Sequence, residues 1–282
     1  KKVAVVTDSN SGITQQQAEE LGISVVPMPF DVAGQTFYED INLTQEQFYE
    51  KLAQDVDIIT SQPSPESVTA LWERLLQEYD EVVHIPMSSG LSHSYACAAA
   101  FAGEYGGRVH VVDNHRISIT QAQAAFDARI LAEQGKSGAK IKGILEREAL
   151  DASIYIAVDT LEYLQKGGRV TPAGAAIGTV LNIKPVLTIQ GGKLDAYAKT
   201  RGMKSAFKTM CRALKSEISG RFHDLYEDGC LCAGIADTHM RREDLENWKE
   251  ELARAFPELE VMHIPLTLSI GCHIGPGGLG VG

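Results

Sequence analysis

The sequence predicts an α/β fold in two domains: an N-terminal doubly wound, mostly parallel sheet and a C-terminal α+β domain. Three observations support this prediction. The chain has 282 residues, which is enough for two separate cores. The first half alternates short apolar runs with helical patterns, as parallel sheets with crossover helices do. The second half instead places several strands in succession, so we put the boundary near residue 150 and predict domains 1–150 and 151–282.

The predicted strands of the first half are short apolar runs bounded by turn or capping residues. In chain order they are KVAVVTDS, ISVVPMPF, DVDIIT, EVVHIPM and RVHVVD. Two of the helices between them have clear start signals. Thr44 and Gln47 match a capping box, while Ser64 is a candidate N-cap followed by Pro65 at the first helical position. A long helical stretch then covers residues 118–150, broken near Gly135 and Gly138.

The second half predicts the strands SIYIAVD, IKPVLTIQ, KLDAYAKT, CLCAGIADT and ELEVMHIPL. Gly191 and Gly192 separate two of them and indicate a hairpin. Cys230 and Cys232 would share one face of a strand, and we expect them to be buried structural thiols, because further metal ligands at suitable spacing are missing nearby.

Charge and hydropathy exclude several classes of function. With 26 Lys and Arg against 37 Asp and Glu, the net charge is −11, which disfavours both nucleic acid and stable attachment to an anionic membrane. A membrane span needs about 20 apolar residues, and the longest apolar run, at 96–102, is far shorter. The first residues read as a strand rather than a signal peptide, so we expect a cytoplasmic protein.

Two hydroxyl-rich loops each follow a predicted strand and precede a helix. They are Thr60-Ser61-Gln62-Pro63-Ser64 and Ser88-Ser89-Gly90-Leu91-Ser92-His93-Ser94. Ligands of open α/β sheets bind at the carboxyl ends of strands, and amides at a helix N-terminus suit an anion. Helix capping is the competing interpretation of each loop, because Ser and Thr are common N-cap residues.

The second loop also leaves a serine hydrolase or acyl transferase open. Residues 90–94 nearly match the G-x-S-x-G nucleophile elbow around Ser92, with Ser94 in place of the last glycine. Asp237 and His273 follow in the order that such a triad requires, although a chain rich in acids offers such a match easily.

Two glycine-rich segments lie in the second half. In Asp159–Arg169, DTLEYLQKGGR, the glycines permit close backbone approach and Arg169 offers a donor fork to a carboxylate, although a helix C-cap with a basic last turn is the simpler explanation. Near the end, Gly275-x-Gly277-x-x-Gly280 fails as a dinucleotide fingerprint because no helix follows it. We therefore expect no nucleotide at these motifs.

Taken together and in this order, the motifs resemble the DegV family of lipid-binding proteins, which includes the fatty-acid-binding subunits of bacterial fatty acid kinase. The matching segments span nearly the whole chain: TDS at 7–9, TSQPS at 60–64, SSGLS at 88–92, VD at 112–113, DTLEYLQKGGR at 159–169, KPVL at 184–187, Arg201, and HIGPGGLGV at 273–281.

The resemblance implies one long-chain fatty acid bound between the two domains, with no metal and no cofactor. It implies that Thr60, Ser61, Ser92, Arg169 and His273 hold the carboxyl group. Arg201 and His273 would face a fatty acid kinase catalytic subunit, which phosphorylates the acid while this chain presents it. A carboxylate is costly to bury unless it is hydrogen-bonded or paired, and this set of hydroxyls and cations meets that need.

Overall fold

A computed structural model of the chain describes residues 1–177 and 182–282. By its internal contacts the chain divides into two units. The first comprises Lys1–Leu150 with Thr267–Ser269, and the second comprises Asp151–Leu266 with Ile270–Gly282. Each unit has an apolar core of its own.

The strands of the first unit are β1 (Val3–Asp8), β2 (Ile23–Val26), β3 (Pro29–Val32), β4 (Gln35–Tyr38), β5 (Ile58–Thr60), β6 (Glu81–Ile85) and β7 (Val109–Val111). Its helices are α1 (Gln15–Leu21), α2 (Gln45–Ala53), α3 (Pro65–Leu75), α4 (Ser94–Ala102), α5 (Ser118–Glu133) and α6 (Gly138–Arg147), with 3-10 turns at Ser9–Ser11 and Gly103–Tyr105. Both predicted N-caps are confirmed: Thr44 and Gln47 form the capping box of α2, and Ser64 caps α3 with Pro65 in its first turn.

The predicted parallel sheet is confirmed in the first unit. Its described strands run in the order β2-β1-β6-β7, and all neighbours are parallel. Every residue of β1 and β6 is buried. Because successive side chains of a strand point to opposite faces, this sheet is covered on both sides, as the doubly wound prediction requires.

Two predicted strands belong elsewhere. ISVVPMPF is not one strand, because the chain leaves the parallel sheet after Val26 and starts β3 at Pro29. The strand predicted in DVDIIT, β5, also lies outside the parallel sheet. The described strands β4-β3-β5 form a separate antiparallel sheet, in which Thr60 pairs with Phe30. Proline lacks the N–H that a ladder needs, and Pro27 lies at the break.

The strands of the second unit are β8 (Ile154–Ala157), β9 (Ile183–Ile189), β10 (Asp195–Arg201), β11 (Ala233–Asp237), β12 (Val261–His263) and β13 (Leu279–Val281). Its helices are α7 (Glu162–Gly167), α8 (Pro172–Ala175), α9 (Gly202–Ser219), α10 (His223–Glu227) and α11 (Arg242–Ala255). A last helix, α12 (Leu268–Ile274), begins in residues of the first unit. The hairpin predicted at Gly191-Gly192 is confirmed, since β9 and β10 pair antiparallel.

A strand that the sequence did not predict lies in the middle of this sheet. The described strands run in the order β10-β9-β8-β13-β11-β12, and only β11 and β12 are parallel. β13 pairs with β8 on one side and with β11 on the other, and Leu279 and Val281 are fully buried in the core. The glycine-rich C-terminal motif therefore begins as a loop and ends in a central strand of this sheet.

The expectation that Cys230 and Cys232 are buried on one face of a strand is wrong. β11 begins only at Ala233, and Cys230 and Cys232 are both exposed. Gly229 adopts φ 70° in the turn after α10, and Cys230 still donates its N–H to Leu225, so the pair belongs to the turn rather than to the strand.

Residues 267–269 pack in the first unit through two polar side chains of that unit. The carboxyl group of Glu39 accepts a hydrogen bond from the N–H of Leu268, and Ser269 Oγ donates to Asn10 Oδ1 at 2.9 Å. Burial raises the pKa of Glu39 to about 8, so this carboxyl group is largely protonated at neutral pH.

Among the described residues no helix is both long and apolar enough to span a bilayer. The same residues contain no cluster of three or more His, Cys, Asp or Glu side chains placed to bind a metal ion.

We expect Leu279→Ala to destabilise the second unit by about 2–5 kcal/mol, because a fully buried Leu leaves a cavity in a packed core. Amide hydrogen exchange in β8 and β11 measures this. Leu150→Ala is the control, since Leu150 is 52% exposed and should change stability by less than about 0.5 kcal/mol. Equal exchange in the two variants would show that β13 is not an essential part of this sheet.

Candidate functional site

The loop after β5 combines a hydroxyl residue with a helix cap. Ser64 Oγ accepts a hydrogen bond from Ser67 N–H at 3.2 Å, so helix capping explains Ser64. Thr60 is half-buried at the end of β5, and the exposed Ser61 follows it, bonded through its N–H to Pro29 O at 3.2 Å. The side chains of Thr60 and Ser61 are thus the hydroxyls of this loop that capping does not explain.

The loop after β6 is built differently. Ser92 Oγ accepts from Ser94 N–H at 3.1 Å and lies 2.9 Å from Ser94 Oγ. The N-cap residue of α4 is His93, whose side chain makes no capping bond. The N–H groups of Tyr95 and Ala96 therefore have no acceptor among the described residues, in contrast to the capped first turn of α3. An anion at this position would complete the first turn of α4.

A pocket in the first unit adjoins both loops. Gln62 and Ser94 line it from the two loops, and Gln62 Nε2 donates to Cys97 Sγ at 3.2 Å across the same region. Its walls are mainly apolar, with Val26, Val68, Ala98, Phe101 and three prolines. Gln62 Oε1 is buried and accepts no hydrogen bond from the described residues. The pocket therefore offers an apolar surface beside the hydroxyl groups.

A buried carboxylate holds the strand ends near these loops together. Asp8, at the end of β1, is only 2% exposed. Its Oδ2 accepts from Met87 N–H at 2.9 Å, and its Oδ1 accepts from Asn10 N–H and from Gln121 Nε2, both at 3.0 Å. Burial raises the pKa of Asp8, and these hydrogen bonds oppose that rise. Sequence reasoning gave Asp8 no role beyond the TDS motif, because its partners Met87 and Gln121 lie 79 and 113 residues away along the chain.

His84 lines the same pocket from the middle of β6. Its Nδ1 accepts a hydrogen bond from Trp72 Nε1 at 2.9 Å, so the proton of the neutral ring lies on Nε2. Burial lowers the pKa of His84 to about 4, and the ring is neutral at pH 7. The Trp72 bond thus fixes which His84 nitrogen can donate.

In the second unit, the two glycine-rich motifs meet. Gly168 has φ 67° and closes α7 as its C-cap, which confirms the simpler explanation for that glycine. Gly167 has another role: a Cβ at this position would overlap the imidazole ring of His273. Arg169 Nη1 then donates to Gly167 O at 2.7 Å, which places the guanidinium beside the same turn.

Two further contacts hold the C-terminal loop against the 159–169 segment. A Cβ at Gly275 would come within 2.6 Å of the Tyr163 ring, and one at Gly277 would overlap the Asp159 carboxylate. Asp159 in turn forms an ion pair with Lys184. The 159–169 motif, Lys184 of KPVL and the 273–281 motif are thus one packed assembly within the second unit.

His273 is a neutral hydrogen-bonding group in this setting. Burial, and secondly the positive charge of Arg169, lower the pKa of His273 to about 4. Arg169 is therefore the cation of this pair at neutral pH, whereas His273 contributes polarity without charge.

The predicted site residues occupy both units. Thr60, Ser61 and Ser92 lie in the first unit; Arg169, Arg201 and His273 lie in the second. Arg201 is exposed at the end of β10, directly before α9.

The hydrolase hypothesis gains no support from these contacts. No histidine among the described residues hydrogen-bonds Ser92, whose hydroxyl interacts with Ser94. Asp237, the acid of the hypothetical triad, bonds His263 Nε2 at 2.9 Å and accepts from Met240 N–H at 3.1 Å.

Comparison with known proteins agrees with the motifs. The family model described as "Uncharacterised protein, DegV family" matches residues 2–282. A DegV domain-containing protein of Deinococcus radiodurans is 32% identical, covering 99% of this chain and 97% of that protein. A DegV family protein from Thermus thermophilus, whose structure was reported for its fatty acid binding, superimposes with TM-score 0.87 at 29% identity, covering 100% and 98% of the two chains. The DegV structure from Bacillus subtilis, called a fatty acid binding protein, gives TM-score 0.84 at 30% identity over 99% and 98%.

We expect the His273 ring to remain neutral well below pH 6, with a pKa of about 4 in an NMR titration. Arg169→Gln removes one cause of the shift, so the pKa should rise while staying below the ordinary value of 6.5, because burial is the larger cause. Arg254→Gln, an exposed arginine of α11, should leave the titration unchanged. An ordinary His273 pKa in the unmodified protein would contradict the geometry described for this turn.

Proposed function

We propose that this chain, which belongs to the DegV family, binds a long-chain fatty acid and holds its carboxyl group with Thr60 and Ser92. The observation that carries the proposal is full-length similarity, at about 30% identity, to DegV proteins that are described as binding fatty acids. The first unit of this chain supplies the matching chemistry: two hydroxyl loops beside an apolar pocket.

The α4 end favours a carboxylate over a neutral head group. A buried carboxylate needs several hydrogen bonds, and each such charge-assisted bond contributes about 1.5–3 kcal/mol. Ser92 offers a hydroxyl, and the N–H groups of Tyr95 and Ala96 lack acceptors among the described residues. The helix dipole adds a further preference for negative charge at this end of α4.

We propose that the apolar wall of the pocket behind the loops contacts part of the acyl chain. Its lining includes Val68, Ala98 and Phe101, and burial of apolar surface contributes about 25 cal/mol per Å². Gln62 and Ser94 line it from the two loops and lie one and two residues after the proposed ligands Ser61 and Ser92. We assign the acyl chain to this apolar surface and the carboxyl group to the hydroxyls.

Ser61, Arg169 and His273 complete the proposed set of carboxyl ligands. The assignment of Arg169 and His273 rests on the family motifs and on the close packing of the two residues around Gly167. In this proposal Arg169 supplies the positive charge, and His273 supplies a hydrogen bond, because its ring is neutral at pH 7.

We further propose that the chain presents its fatty acid to a kinase and does not itself transfer phosphate. Arg201, the proposed contact, precedes a basic stripe on α9 formed by the exposed side chains of Lys204, Lys208 and Arg212. Their spacing of four residues places them on one side of the helix. None of these four cations pairs with an acidic side chain among the described residues, although the chain carries a net charge of −11. A basic stripe of this kind supports docking to an acidic partner surface, to which His273 would contribute.

We expect Thr60→Ala and Ser92→Ala each to weaken retention of a bound C16–C18 acid, and the double variant to weaken it by about a hundredfold or more. The reason is the loss of two hydrogen bonds to a charged group. Extraction followed by mass spectrometry measures the acid, and titration with a fluorescent fatty acid measures affinity. Ser67→Ala, an exposed residue of α3, is the control. Undiminished retention in the double variant would place the head group elsewhere.

For the kinase step, we expect Arg201→Ala to lower the rate of acyl phosphate formation by at least about tenfold when a DegV-dependent fatty acid kinase is supplied. Fatty acid retention should be unchanged, since Arg201 is an exposed docking residue in this proposal. Arg254→Ala on α11 should affect neither measurement. A parallel loss of retention and phosphorylation in Arg201→Ala would assign that residue to ligand binding instead.

A further inference from the structure

Three polar side chains form a chain of contacts at the ends of β6 and β7. Ser89 Oγ lies 3.5 Å from His115 Nδ1, and His115 Nε2 lies 3.5 Å from Asp113 Oδ2. We call these three residues the Ser89 relay. A hydroxyl, an imidazole and a carboxylate in this sequence are the components of an activated serine nucleophile.

The parallel sheet brings the relay together. β6 and β7 are parallel neighbours, so the loops that follow them leave from the same edge. Ser88 N–H donates to Arg116 O at 2.8 Å and joins the two loops directly beside Ser89 and His115. His115 has φ 57°, a left-handed conformation that non-glycine residues seldom adopt and that tertiary contacts must maintain.

The contacts favour one position of the ring proton. Asp113 Oδ2 lies within ion-pairing distance of Nε2, and a carboxylate can only accept a hydrogen bond, so in this proposal the imidazole proton lies on Nε2. The lone pair of Nδ1 then faces the Ser89 hydroxyl. Asp113 Oδ1 is buried and accepts no hydrogen bond from the described residues, and Asp113 Oδ2 lies 3.5 Å from the ring of His115. Asp113 is thus a positioning residue for the base.

We propose that the Ser89 relay is a nucleophilic site for activated acyl groups, namely esters or thioesters. The choice of a long acyl chain rests on the proposed function, because Ser89 and Ser92 belong to the same loop. The relay itself rests only on its own geometry.

Ser89, His115, the acyl substrate and water account for every bond and proton in the proposed reaction. Ser89 Oγ forms a bond to the acyl carbonyl carbon, and its proton moves to His115 Nδ1. The carbonyl electron pair then re-forms the C=O bond and expels the leaving group, which takes the proton from His115. Water repeats the sequence: it gives one proton to His115, its oxygen bonds to the acyl carbon, and Ser89 leaves with that proton. The products are the fatty acid and the protonated leaving group.

The test is covalent labelling of the full chain with an alkyl fluorophosphonate, located by peptide mass spectrometry. We expect the label on Ser89, no label there in Ser89→Ala, and a labelling rate at least about tenfold lower in His115→Asn. Asparagine suits this substitution because it tolerates a left-handed backbone. The matched control is His223→Asn, an exposed histidine of α10, which should label at the unmodified rate.

The role of Asp113 is tested by comparing the labelling rates of two substitutions, because a general loss of structure would lower both rates alike. Asp113→Asn should slow labelling, and Asp113→Glu should restore part of the rate, because only the carboxylate keeps the proton on Nε2. Absence of label on Ser89, or equal rates in His115→Asn and His223→Asn, would overturn the relay. Fatty acid content is measured on the same samples: acid present without labelling refutes the relay alone, whereas labelling without any acid refutes the proposed function alone.

Discussion

A carboxylate that is nearly inaccessible to water must receive hydrogen bonds from its surroundings, and Asp8 imposes this condition on the first unit. Its donors come from three places: the turn after β1, the residue that opens the loop after β6, and α5 through Gln121. Gln121 also bonds Thr7, whose hydroxyl donates to Ile85 O at 2.8 Å. One polar network therefore links the ends of β1 and β6 to α5. The hydroxyl-rich loop after β6 starts at these linked strand ends.

Local sequence signals correctly predicted the parts of the fold that depend on contacts between neighbouring residues. Ser64 with Pro65, and Thr44 with Gln47, specify helix starts within four residues, and the structure confirms both. Sheet membership depends on distant partners instead. β5 has a strand-like sequence in any sheet, and only its pairing with β3 places Thr60 outside the parallel sheet. β13 is three residues long between glycines, so its central position follows from β8 and β11 rather than from its own composition.

The site shows the same division. Hydroxyl-rich loops and the KGGR motif are visible in the sequence, and so is the resemblance that connects them. The sequence does not reveal that Gly167 and Gly168 have different roles. Gly167 leaves room for the His273 ring, more than 100 residues later in the chain, whereas Gly168 forms the local C-cap of α7. His115 is equally hidden, since neither its left-handed backbone nor its contact with Ser89 has a signal in the residues around it.

The late segment between residues 267 and 281 has a consequence for biosynthesis. It supplies Leu268 and Ser269 to the first unit, and it supplies the strand between β8 and β11 to the second. A ribosome that has not yet passed Val281 thus carries a first unit with the partner of Glu39 missing and a second sheet split into two parts. Exposed strand edges of this kind invite aggregation, so we expect the nascent chain to be most prone to aggregation before residues 267–281 have joined both units.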